Sequence, residues 1–78
     1  MREKKDYVVL TFRTTTDAMA TEKRCGEESI PGRLIPIPRE ITAGCGLAWR
    51  MLPQEYEDNL EKLDKLGISF EKIVKLAI

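Results

Sequence analysis

The order of hydrophobic patterns along this 78-residue chain predicts an α+β domain of ferredoxin-like βαββαβ topology, a four-stranded antiparallel sheet with two helices on one face. Three observations carry the prediction. Strand-like runs open and close the chain, each of two helix-like segments leads into a strand pattern, and the two middle strands are separated only by a loop.

After a charged leader over residues 1–6, the domain spans residues 7–78. The run Tyr7-Val8-Val9-Leu10-Thr11-Phe12 is β-branched and aromatic and reads as the first strand. Val8, Leu10 and Phe12 point one way and Tyr7, Val9 and Thr11 the other, so both faces of the sheet carry apolar groups. The oxygens of Thr14 to Asp17 can cap a helix that begins near Thr16 or Asp17 and runs through Glu28. Ala18, Thr21 and Cys25 share its thin apolar stripe, which makes Cys25 a packing residue, and Glu22 lies on the flank, solvated or, if partly buried, turned toward Arg33 or Arg50.

Ser29-Ile30-Pro31-Gly32 ends that helix, and Arg33 to Ile37 follow as a second strand. Pro36 and Pro38 cannot donate to a ladder and place it at the sheet edge. Residues 39–46 form a connection, and Leu47-Ala48-Trp49-Arg50-Met51 reads as the third strand, with its apolar side ambiguous by one residue. Pro53 opens a second helix whose stripe of Tyr56, Leu60, Leu63 and Leu66 is read as core. Gly67 stops it, and Lys72-Ile73-Val74-Lys75-Leu76 is the last strand.

Thirteen basic residues balance thirteen acidic ones, so no overall field gathers polyanions or an anionic membrane. Nucleic acid is not an expected partner. The sheet also lacks the basic-glycine-aromatic repeat of domains that stack RNA bases. No run approaches the roughly 20 apolar residues of a membrane span, and the start lacks the apolar stretch of a secretion signal, so a cytoplasmic location is expected. Two cysteines without histidine cannot complete a four-ligand zinc site of the usual kind, and no metal or cofactor is expected. Without histidine there is also no Cys-His or Ser-His pair, which points to a carrier or binding protein before an independent enzyme.

What chemistry the residues offer centres on Cys45. Gly44 and Gly46 remove side-chain bulk on both sides of it, which exposes the sulfur and lets nearby amides turn toward an anion. Arg39 and Arg50 are near enough in sequence to supply positive potential, and Glu40 could orient an arginine. The plainer alternatives are an unreactive thiol in a flexible turn and ordinary solvated charges.

The run from Ile30 to Ala48, Ile-Pro-Gly-Arg-Leu-Ile-Pro-Ile-Pro-Arg-Glu-Ile-Thr-Ala-Gly-Cys-Gly-Leu-Ala, resembles the small bacterial selenium/sulfur carrier protein-like family. The likeness extends from Tyr7 to Leu76. It implies that Cys45 is the attachment point for sulfur or selenium, held as a persulfide or its selenium equivalent, with donor and acceptor proteins as partners. Arg39, Glu40 and Gly46 fall on the family's motif positions. Cys25 stands where such sequences tend to carry an aliphatic residue, and Trp49 also occupies a usually aliphatic position. The competing expectation is a non-enzymatic ferredoxin-like module that binds a small molecule or protein with an unreactive cysteine. The apolar groups on the face without helices also suggest a homodimer through it.

Overall fold

The computed structural model describes residues 5–41 and 45–78. It is an α+β structure in which β1 (Asp6–Thr11), α1 (Thr15–Glu27), β2 (Arg33–Pro36), β3 (Leu47–Met51), α2 (Pro53–Asp58), α3 (Leu60–Lys65) and β4 (Lys72–Ala77) follow one another. The strands form one antiparallel sheet in the order β2-β3-β1-β4. As expected from its prolines, β2 lies at an edge.

Local chemistry accounts for the ends of α1. Thr14 is the N-cap, its Oγ1 accepting from the Asp17 amide at 3.1 Å, so the helix starts one to two residues before the position expected from the sequence. At the other end Ile30 N–H donates to Cys25 O at 2.8 Å and Ser29 N–H to Gly26 O at 3.4 Å. This is a Schellman closure, and it puts Ser29 at φ 55, a left-handed conformation usually left to glycine. Ala18, Thr21 and Cys25 are buried, as the stripe predicts.

The second helix departs from expectation. It is divided at Asn59, whose side-chain Nδ2 donates to Glu55 O at 2.8 Å and whose backbone sits at φ −113, ψ 13. An asparagine that competes for backbone carbonyls loosens the helical geometry. Only Leu63 of the predicted stripe is buried; Leu60 is 49% exposed, and Tyr56 and Leu66 are half-buried. Gly67 at φ 61 ends α3, as expected.

Two cores result, one on each side of the sheet. On the helix side Val8, Leu10 and Phe12 pack with Trp49, Met51, Ala18, Cys25, Ile30 and Leu63. This resolves the ambiguity of β3, whose odd-numbered residues face the helices. On the other side Val9 and Ala48 are buried beneath Ile41, with Tyr7, Ile35, Val74 and Leu76 around them. Ile41, from the β2–β3 connection, thus packs at the centre of the face without helices.

Gly32 marks a close approach between the start of β2 and this core. A Cβ at residue 32 would stand 2.5 Å from Trp49 Nε1, and its φ of 151 disfavours any side chain. That indole N–H is buried with no hydrogen-bond partner among the described residues.

Candidate functional site

The connection that carries Cys45 is anchored at both ends. Ile37 N–H donates to Gly46 O at 2.8 Å, which extends the β2–β3 pairing past the strands, and Gly46 itself has φ 80. A Cβ on Gly46 would meet nothing within 4 Å, so glycine is needed there for the backbone and not for space. On the outgoing arm Ile41 N–H donates to Pro38 O at 3.0 Å, a tight turn with Arg39 and Glu40 at its two exposed central positions. The turn delivers Ile41 onto Val9 and Ala48. Gly44, a predicted site residue, lies outside the described residues.

Cys45 enters the sheet from the opposite side. It is half-buried and rests against the helix-side core. Its Sγ–H donates to Leu47 O at 3.6 Å, a long and weak contact that orients the thiol along the start of β3. Cys25, by contrast, is fully buried, and that burial pushes its thiol from 9.0 up to about 11. A thiolate there is disfavoured at neutral pH, which agrees with its reading as a packing residue.

Arg39 and Glu40 thus share the connection with Cys45. Arg50 does not join them. It is the fourth residue of β3, and alternation with Trp49 and Met51, which pack on the helix side, sends it to the other face. Its guanidinium carbon sits 4.5 Å from the centre of the Tyr7 ring. The odd-even spacing of residues 45 and 50 was the available signal for this separation. Glu22 is exposed, as its solvent reading predicts.

Two clefts were not foreseen. One of about 270 Å³ is walled by Leu10, Tyr56, Leu60, Leu63, Ile68 and Phe70, on the helix side. Leu60 in its wall is 49% exposed. The second, of about 320 Å³, lies where β1 and β2 begin and β3 ends, and Lys5, Arg33 and Arg50 line it. Among the described residues no cluster of three or more metal-ligating side chains occurs, and no helix is long and apolar enough to cross a membrane.

Fold and site together define a small α+β domain that offers one partly accessible thiol at the mouth of a strand connection and shelters the other. The family model described as "Putative Se/S carrier protein-like" matches residues 7–75, and the chain belongs to that family. No curated protein and no solved structure matches it.

Proposed function

We propose that the protein carries sulfur or selenium on Cys45. Membership of the Se/S carrier-like family over residues 7–75 is the observation that carries this reading. The half-buried setting of Cys45, set against the full burial of Cys25, supports the choice between the two thiols. In the same spirit we read the strand order β2-β3-β1-β4, with the helices packed on one side, as the split βαβ arrangement of ferredoxin-like domains.

The chemistry requires little machinery. The Cys45 thiolate attacks the outer sulfur of a donor persulfide, forming Cys45–S–SH as the donor S–S bond breaks and the donor thiolate leaves. An acceptor nucleophile then attacks that outer sulfur, and the Cys45 thiolate departs. The outer atom moves with no net oxidation, and selenium in its place follows the same path. Gly46 sets the backbone of the loop, and Arg39 is the cation on the same connection that could meet an anionic cargo. Glu40 could orient that arginine, while Gly44 keeps the role of removing bulk beside the sulfur. Arg50 has no part in this reading because it faces the other side of the sheet.

The partners entailed are a donor and an acceptor protein in the cytoplasm. A second copy through the sheet face without helices is a further one, removed if sedimentation finds a monomer at high micromolar concentration. The rival reading, a binding module with an inert Cys45, draws on the apolar cleft between α3 and β1. Incubation with a small persulfide donor followed by intact-mass measurement decides between them. Cys45→Ser should lose the adduct and Cys25→Ala should keep it; equal adducts on wild type and Cys45→Ser would exclude the carrier assignment.

A further inference from the structure

The cleft at the far end of the sheet from Cys45 breaks a rule of strand pairing. Arg33 on β2 and Arg50 on β3 are direct cross-strand partners on the same face. Their Cβ atoms are therefore about 5 Å apart, a separation at which like charges oppose each other. Lys5 lines the same cleft. The acidic side chain in its wall is Glu55, and one of that carboxylate's oxygens is already taken, Oε1 accepting the Leu52 amide at 2.9 Å. Among the described residues, three cations against one partly engaged acid make a local positive centre in a chain of zero formal net charge.

Nothing in folding requires this arrangement, since β2 is an edge strand and its first residue could carry either sign at no cost to the core. Local conflicts of this kind tend to mark functional positions. An oxyanion between the two arginines turns the repulsion into attraction. Guanidinium groups present donors in a fixed fork that matches phosphate oxygens two at a time. The stacking of Arg50 on Tyr7 restrains one fork in advance.

We infer that the Lys5, Arg33 and Arg50 cleft is a binding site for a phosphate group, separate from the thiol and independent of the carrier reading. A doubly charged phosphate suits three cations better than a singly charged carboxylate does. The cleft volume of about 320 Å³ accommodates a phosphorylated small molecule and not only the bare ion.

The test is a titration of the full chain with inorganic phosphate, followed by amide NMR shifts and thermal unfolding, with chloride and acetate at matched ionic strength as the other arms. Phosphate should give saturable shifts centred on Gly32, Arg33 and Arg50. At tenfold excess over its dissociation constant it should raise the unfolding midpoint by roughly 5–10 °C. R33Q/R50Q should lose the phosphate response by at least tenfold while unfolding no earlier than wild type in chloride, because it removes the repulsion. R33K, which keeps the charge and loses the fork, should bind several-fold more weakly. Cys45→Ser should respond like wild type. Shifts spread over all basic residues, equal saturation by acetate, or an unchanged response in R33Q/R50Q would each overturn the assignment.

Discussion

Cys25 and Cys45 belong to the same chain and lean on the same helix-side core, yet their surroundings seal one and leave the other partly open. Cys25 is enclosed between α1 and the sheet, where no solvent reaches it and its thiol is pushed up to about 11. Cys45 stands where the β2–β3 connection enters the sheet, half-covered and next to a glycine at φ 80. What distinguishes them is position in the fold, not residue type: the cysteine in the stripe of α1 is a small buried hydrophobe, and the one at the strand mouth is open to solvent in part.

The widest gap should appear in alkylation. At pH 7 native Cys45 should react with iodoacetamide at least about 1,000-fold faster than Cys25, since burial limits both access and thiolate fraction at the latter. Peptide-resolved mass spectrometry reads the two rates, and similar rates would break the contrast. Gly32→Ala tests the shelter itself. Forcing a Cβ against Trp49 at a positive φ should cost about 2–4 kcal/mol by urea unfolding. Cys25 labelling through unfolding should then rise on the order of 100-fold, with that of Cys45 unchanged.

Alkaline pH should sharpen the contrast further. A thiol whose folded pKa exceeds its unfolded value of 9.0 holds its proton more tightly in the native state. Its stabilisation is complete below about pH 9 and is lost as pH rises toward about 11, a loss on the order of 2–3 kcal/mol. Urea titrations across that window should show the decline in wild type and a flatter profile in Cys25→Ala. The smallest effect belongs to Ser29→Gly, which relieves the left-handed strain at the end of α1. It should stabilise by about 0.5–1 kcal/mol, slowing Cys25 labelling several-fold and leaving Cys45 as it was.

Much of the architecture was legible because it is local. The runs that become β1, β3 and β4, the Ala18-Thr21-Cys25 stripe and the Gly67 stop are each decided by residues within a turn or two of one another. The helix division at Asn59 was not, because an asparagine bonding its own backbone looks in sequence like any exposed helical residue. Two further features depend on pairing between distant segments. Ile41 reaches the far face only because the Pro38 turn sends it there, and Arg33 meets Arg50 only through the register of β2 on β3. A shift of one residue would have put the arginines on opposite faces. At the site, sequence proximity was a poor guide to Arg50, and strand parity would have been the better one.

The β2–β3 connection straddles the end of the sheet, with Ile41 seated on one side and Cys45 on the other. The residue after the sulfur is tied to the sheet edge as well, since the Gly46 carbonyl accepts the Ile37 amide at 2.8 Å. Whatever grips the thiol therefore pulls on a side chain leaning on the helix-side core, whose next residue is moored to the neighbouring strand.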